Sequence, residues 1–243
     1  FAFPLGMPSF GIFLYQMGGE FYKDDGRKSG LDSEISITAF KKWTELFTNY
    51  KMPFQYDFPN RFRTGEMPIG IADYSIYNLL GVFAPEIRGM WEISPVPLFI
   101  DSEGNENRFV PGNTTSAVIL KKSEKYDESW KFLKWWTEKN TQISYGREIE
   151  SIMGSAARYP SANFEAVSSL PWSAEELEVL MEQWKSVKGV PEYPGGYYTP
   201  RYLDFAFRRV VLLGGNPRET ILDYTQVIND EIVYKRQEIG LFD

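Results

Sequence analysis

The 243-residue chain contains no cysteine and no histidine. Without cysteine it has no disulfide, no thiolate nucleophile and no thiolate metal site. Without histidine it lacks the side chain that most often moves protons near neutral pH, together with every histidine-ligated metal site. These absences exclude serine triads, zinc hydrolases and cysteine proteases as such enzymes are usually built. Only carboxylate, tyrosine or lysine chemistry stays open.

The sequence also has little clustered basic charge and no long apolar segment. Its net charge is −7, and no basic run is longer than Lys121-Lys122. A nucleic-acid partner needs a basic face that neutralises phosphates, so we expect none. No apolar run reaches the roughly 18 to 20 residues that span a bilayer. No signal peptide is visible and the chain starts at Phe1, so we expect a processed or truncated product.

Aromatic residues are abundant. The chain has 18 Phe, 15 Tyr and 7 Trp, more than core formation requires. Tyrosine and tryptophan have flat apolar faces and a polar edge, which suits ligand stacking as well as interiors. The hydrophobic share of 43% and the charged share of 24% are those of an ordinary soluble globular protein.

Apolar spacing and capping residues predict a helix-rich α/β protein. The predicted helices cover 9–17, a stretch from Ser33, 58–66, 74–82, 127–150, a stretch opened by the capping box of Ser173 and Glu176, 199–213, and a last helix capped by Asn216. Buried strands are predicted at 67–72 and 115–120, and an extended segment at 92–100. So few strands suggest that others lie in a missing segment.

The order of several local motifs resembles the bacterial extracellular solute-binding proteins of carbohydrate-uptake ABC systems (family 1). The resemblance covers nearly the whole chain. The motifs are Leu31-Asp32-Ser33, residues 62–71, Tyr74, residues 91–97, residues 111–119, residues 121–136, residues 155–160 and residues 216–232.

The resemblance implies a periplasmic-binding-protein-like (type II) α/β fold, in which two lobes joined by a hinge close on a ligand. Residues 1–110 and 158–243 would form the C-terminal lobe and residues 111–157 part of the N-terminal lobe, whose first part is missing. It also implies a carbohydrate ligand, an ABC permease partner and an extracytoplasmic location, in the periplasm or as a cell-surface lipoprotein. Any membrane contact would be a lipid anchor on the missing N-terminus.

Two tyrosine pairs are candidate ligand-binding residues. Tyr74 and Tyr77 follow a predicted strand, where α/β sheets commonly present their ligands; they are either a stacking plate or two packed aromatics at a helix start. Tyr197 and Tyr198 follow two glycines in a loop before a helix. The family has ligand-contacting aromatics in this region, so this pair either lines the cleft or packs within a lobe.

Polar candidates lie at the two predicted crossings between the lobes. Asn113 and Thr114, at the first crossing, either bind ligand hydroxyls or serve as turn residues. Arg158, at the second, either binds the ligand with its two-pronged guanidinium or forms a salt bridge at the hinge, and we favour the salt bridge.

We expect no catalytic residue, cofactor or metal. The acidic loops 24–26 and 101–105 lack the ligand spacing of a calcium site. Two other functions stay open. A carbohydrate-active enzyme would need two carboxylates across the scissile bond. Asp73 could be one of them, but the sequence identifies no second carboxylate to act with it. A non-transport interaction module would use its helices as a platform and would show no stabilisation by sugars.

Overall fold

The computed structural model describes residues 1–101 and 103–241. These residues form α-helices α1 (Met7–Gln16), α2 (Glu34–Thr48), α3 (Phe58–Arg63), α4 (Ser75–Phe83), α5 (Tyr126–Thr137), α6 (Lys139–Met153), α7 (Phe164–Val167), α8 (Ala174–Trp184), α9 (Thr199–Leu213) and α10 (Pro217–Glu238). The strands are β1 (Tyr22–Lys23), β2 (Lys28–Ser29), β3 (Phe99–Ile100), β4 (Glu106–Asn107), β5 (Val110–Gly112) and β6 (Val187–Gly189). β1–β2 and β3–β4 are antiparallel hairpins, and β5–β6 is a parallel pair.

The predicted helices are confirmed where local signals mark their ends. The Ser33 side chain accepts a hydrogen bond from the Ser36 backbone N–H at the start of α2. The capping box of Ser173 and Glu176 opens α8, as predicted. The Asn216 side chain caps α10. Each cap satisfies N–H groups that the helix itself leaves without a partner.

The main core lies between α1, α2, α9 and α10, so it joins both ends of the chain. Trp43 of α2 is fully buried at its centre, and its ring lies 5.7 Å from that of Phe10 and 4.3 Å from that of Phe207. The predicted stripe of α10 is buried in this core and consists of Ile221, Thr225, Ile228 and Ile232.

Both predicted buried strands are wrong. Between 67 and 72 the only described pairing is a single bridge of Gly70 to Ala2. Residues 115–120 form no strand, and Val118 and Leu120 are 78% and 74% exposed. A segment rich in β-branched and apolar residues forms a strand only where a neighbouring strand pairs with its backbone N–H and C=O groups. No described strand extends alongside either segment.

The long helix predicted over 127–150 is divided in two at Glu138, which has an extended backbone (φ −64°, ψ 141°). The Gln142 side-chain amide donates to the Trp136 carbonyl (2.6 Å), and that of Asn163 donates to the Thr137 carbonyl (3.3 Å). These side chains satisfy carbonyls that the break releases. The break therefore depends on tertiary partners and leaves no glycine or proline signal in the sequence.

The chain at the first predicted crossing lies directly on α1. Here β5 pairs in parallel with β6, and the Tyr15 hydroxyl of α1 donates to the Gly189 carbonyl (3.2 Å). Gly11 of α1 faces the Pro111 ring so closely that a Cβ at Gly11 would overlap it. The β5 segment is thus held on α1 and β6 by backbone pairing, a hydrogen bond and close contact.

The surface of α5 and the preceding segment is rich in exposed apolar side chains. No residue of α5 is buried, and Trp130, Phe132 and Trp135 are each more than half exposed. Together with Val118 and Leu120 they form what we call the α5 surface. Patches of this kind drive association in water.

We expect the chain to associate as its concentration rises and Trp130→Glu/Trp135→Glu to stay monomeric, because the charges remove the apolar contact. Size-exclusion chromatography with light scattering measures this. Lys131→Glu on the same helix is the control and should associate like the wild type. Equal masses for all three proteins at every concentration would contradict the prediction.

Candidate functional site

Five aromatic side chains come together around the start of α4, and we call them the aromatic cluster: Tyr74, Tyr77, Trp91, Trp172 and Trp184. The Tyr77 ring lies 5.4 Å from both Trp91 and Trp172. The Tyr74 ring lies 6.4 Å from Trp172 and 6.0 Å from Trp184. All five are partly exposed. The cluster therefore combines rings from α4, the 91–97 segment, the loop before α8 and the end of α8.

Carboxylate and phenol groups line one side of the aromatic cluster. The Tyr77 hydroxyl donates a short hydrogen bond to Glu176, which also accepts from the Ser173 backbone N–H (2.9 Å). Burial opposes ionisation of Glu176, yet the hydrogen bonds from Tyr77 and Ser173 hold its pKa below its usual value. Burial and the nearby Glu176 raise the pKa of Tyr77 to about 12. Near neutral pH the pair is thus a phenol donor and an ionised acceptor.

Arg158 forms the salt bridge favoured in the sequence analysis. Its Nε and Nη2 donate to the two carboxylate oxygens of Glu150 at 3.0 and 2.7 Å. The guanidinium carbon lies 4.3 Å from the centre of the Trp172 ring. Arg158 is only 9% exposed. Although burial disfavours its charge, Glu150 raises the pKa of Arg158 above its usual value.

The second tyrosine pair lies apart from the aromatic cluster in its described contacts. Tyr197 and Tyr198 belong to a 3-10 turn (Gly196–Tyr198), and their rings stack at 4.3 Å and 32°. The centre of the Tyr198 ring also lies 6.0 Å from that of the Tyr202 ring in α9. Among the described residues, no ring contact or hydrogen bond joins this stack to Tyr74 or Tyr77. Because stacked rings cover each other's faces, a ligand plate here is limited to the outer face of the stack.

Asn113 and Thr114 lie in an exposed segment directly after β5. No hydrogen bond of either side chain is recorded within the described ranges, so both remain available to a ligand. They stay predicted site residues. They directly follow β5, and among the described residues no ring contact or hydrogen bond joins them to the aromatic cluster.

The Asp101 side chain of the acidic loop 101–105 is used within its own turn. The Asp101 carboxylate accepts hydrogen bonds from the backbone N–H groups of Glu103 and Asn105 and from the Asn105 side chain. The Asn105 bonds lower the pKa of Asp101. Across residues 1–101 and 103–241, no three acidic side chains converge in a way that would hold a metal ion.

Sequence reasoning missed Trp91, Trp172 and Trp184 as site residues. The sequence pattern predicts that Trp172 is the hydrophobic staple at the start of α8 and that Trp184 belongs to the buried face of that helix. Both are more than 95 residues from Tyr74 in sequence but in ring contact with it. The one available signal was the placement of Trp172 in a loop, where a bulky aromatic is free to face a ligand.

The raised pKa of Tyr77 predicts alkaline sensitivity. Its folded pKa of about 12 lies above the ordinary 10. Its contribution to stability is therefore complete below about pH 10 and is lost as the pH rises through 12. We expect the difference in phenolate absorbance between wild type and Tyr77→Phe to titrate near 12 in the folded chain and near 10 in denaturant. A folded-state difference centred near 10 would contradict the proposed environment.

Solved structures with a similar fold are sugar-binding proteins. The sugar-binding protein MalE of Xanthomonas citri is 16% identical with a TM-score of 0.73, and the match covers 98% of this chain and 60% of that one. An ABC transporter solute-binding protein of Thermotoga lettingae, bound to α-D-tagatose, is 19% identical with a TM-score of 0.68, covering 92% and 55%. The maltose/maltodextrin-binding domain MalE of Bdellovibrio bacteriovorus, bound to maltotriose, is 17% identical with a TM-score of 0.63, covering 93% and 57%.

These likenesses define the fold as periplasmic-binding-protein-like, helix-rich α/β, and the chain spans less than two thirds of the length of each of these three structures. The sequence model of the bacterial extracellular solute-binding protein family matches residues 6–143, more than half of the chain. The chain belongs to this family, which implies an extracytoplasmic location. The comparison with curated proteins found no match. None of the described helices combines the length and hydropathy required to cross a bilayer.

Proposed function

We propose that the protein binds a sugar or oligosaccharide outside the cytoplasm and delivers it to an ABC importer without changing it chemically. The observation that carries this is the aromatic cluster beside Glu176 and Arg158. A sugar has apolar C–H faces that stack on aromatic rings and a rim of hydroxyls that need hydrogen-bond partners once buried. Rings and an ionised carboxylate at one place supply both kinds of contact. Family membership and the sugar-binding structural neighbours support the same function.

The proposed ligand-binding residues are the predicted set without Arg158, whose guanidinium fork is bound to Glu150, and with Trp172 added. Tyr74 and Tyr77 stack on the sugar, now joined by Trp172. Asn113, Thr114 and the outer face of the Tyr197–Tyr198 stack are proposed to contact the ligand when the lobes close.

The proposed lobes keep their predicted boundaries. Residues 1–110 and 158–243 form the C-terminal lobe, which is supported by the shared core of α1, α2, α9 and α10. Residues 111–157 belong to the N-terminal lobe, which is supported by the position of α5 and α6 outside that core. Partners of the whole protein would be a membrane permease and, through a lipid anchor, the membrane itself.

A carbohydrate-active enzyme is less well supported. Hydrolysis needs one carboxyl kept protonated as the general acid. Glu176 has a lowered pKa and stays ionised near neutrality, and Asp73 uses its carboxylate to accept the Ser75 backbone N–H at the start of α4. Both carboxylates therefore suit binding better than proton donation.

Binding should raise the thermal unfolding midpoint, because a ligand that binds only the folded state stabilises it by about 2.7 kcal/mol at 100 times Kd. For a chain of this size we expect an increase of about 5 °C or more. The whole chain would be screened against monosaccharides and oligosaccharides, including tagatose and maltotriose, with glycerol as the control. Trp172→Ala should markedly reduce the shift, and Trp130→Ala should retain it. Absence of any shift, or turnover of a sugar, would refute the proposal.

A further inference from the structure

Arg158 is fixed at both its backbone and its side chain. Its backbone N–H donates to the Ser155 carbonyl (3.1 Å), and its carbonyl accepts from the Asn78 side chain of α4 (3.4 Å). Its Nε and Nη2 donate to the two oxygens of the Glu150 carboxylate of α6. The residue thus ties the second crossing to α4 and α6, and the fork of its guanidinium is occupied.

The Arg158 guanidinium also lies over the Trp172 ring, with its carbon 4.3 Å from the ring centre. In-plane bonds to Glu150 and a stacked contact with an indole use different parts of a guanidinium, so one side chain can make both at once. Arg158 therefore lies over the Trp172 ring, which is also in contact with Tyr74, the residue before α4, and with Tyr77 of α4.

The Trp172 side chain has no hydrogen-bond partner among the described residues, although its backbone N–H donates to the Leu170 carbonyl (2.8 Å). Its indole Nε1 is buried and finds no acceptor among the described residues. It lies in the loop between α7 and α8. The orientation of an indole that makes no hydrogen bond is set by the groups that contact its faces and edges. For Trp172 the charged group among these contacts is the guanidinium of Arg158.

We propose that Arg158 is a positioning residue: clamped by Glu150, its guanidinium fixes the indole of Trp172 so that the aromatic cluster presents a preformed surface to a bound sugar. The benefit for the ligand rests on the proposed function. The orientation of Trp172 does not, because every contact that carries it exists in the unliganded chain. Preformed surfaces bind more tightly because less side-chain freedom is lost on binding.

The first test needs no ligand. The whole chain is labelled with 5-fluorotryptophan, and Trp172→Leu identifies the Trp172 fluorine signal among the seven tryptophans. We expect Arg158→Lys, which keeps the charge but loses the fork and the flat face, to shift and broaden the Trp172 signal. The matched control is Arg147→Lys. Arg147 also donates through Nε and Nη2, to the Ser169 carbonyl of the loop that carries Trp172, but among the described contacts its guanidinium does not lie on the Trp172 ring. This control therefore separates holding the loop from holding the ring.

The signal of Trp172 should be unchanged in Arg147→Lys, and those of the other six tryptophans unchanged in both lysine variants. An unaltered Trp172 signal in Arg158→Lys, or an equal change in Arg147→Lys, would overturn the proposal. A general loosening of the fold would move several signals and lower the thermal midpoint, so it is distinguishable from a local effect on one ring.

The second test is a double-mutant cycle with maltotriose as the probe, read by calorimetry. Arg158→Lys should weaken binding roughly five- to tenfold, the size of one partly buried cation–π contact. In a Trp172→Leu background the same substitution should cost almost nothing, because the group it acts through is absent. Equal losses in both backgrounds would overturn the positioning role. If neither maltotriose nor any other sugar of the screen binds the wild type, the proposed function fails, and the fluorine signal alone decides the role of Arg158.

Discussion

Replacing Trp43 by alanine should lower the free energy of unfolding by about 3–5 kcal/mol, the usual cost of deleting a large buried ring. Trp43 is completely buried, and its ring contacts those of Phe10, Phe40 and Phe207 from three helices. Its removal would leave a cavity at the point where α1, α2 and α9 meet. Urea-induced unfolding followed by circular dichroism measures the loss.

Two further variants separate the cavity from other effects of the Trp43 substitution. Trp130→Ala makes the same chemical change on the half-exposed α5 surface and should change stability by no more than about 0.5 kcal/mol. Trp43→Phe should cost less than the alanine, because the Trp43 Nε1 has no acceptor among the described residues and gives up no hydrogen bond. A loss for Trp43→Ala no larger than for Trp130→Ala would refute the arrangement of the core.

The second large effect concerns the pair of Arg158 and Glu150. Arg158→Met should destabilise the chain by about 3 kcal/mol, because it leaves the Glu150 carboxylate, only 13% exposed at its side chain, without its counter-ion. The double variant Arg158→Met/Glu150→Leu should recover most of this loss, because no buried charge then remains. Thermal and urea unfolding of the wild type, both single variants and the double variant provide the complete cycle.

The most informative outcome is a double variant that keeps most of the wild-type stability but whose Trp172 fluorine signal has changed. Such a result would assign the ion pair to orientation rather than to stability, since apolar substitutes commonly replace buried ion pairs without loss. A double variant as unstable as Arg158→Met would instead show that the methionine itself does not fit.

Helices were predictable from the sequence because their signals are local. Ser33, Ser173 and Asn216 each lie within three residues of the backbone groups they cap. The parallel pair was not, because its partners are distant: β5 pairs with β6 some 77 residues later (110 to 187). The apolar run at 115–120 has the composition of a strand but no described strand beside it, and composition alone does not supply one.

The candidate site was predictable only in part for the same reason. Tyr74 and Tyr77 were chosen because they follow the segment 67–72, which was wrongly predicted as a strand, and Arg158 because it lies at a predicted crossing. Trp172 and Trp184 reach the site through the path of the chain after α7, which no local pattern encodes. The partner of Arg158 was equally hidden, because Glu150 precedes it across a helix end at Gly154.

The close approach of Gly11 to Pro111 restricts where the chain can bend at the predicted first crossing. Because Gly11 has no side chain, the Pro111 ring packs directly against the backbone of α1, and this close packing leaves β5 little room to shift along the helix. If the two halves of a binding protein rock against each other, bending at this point must occur in the backbone beyond Gly112, where the chain leaves its pairing with β6. If the lobes move as proposed, Gly11 would keep β5 fixed on α1, and the exposed residues after Gly112 would be where the chain bends.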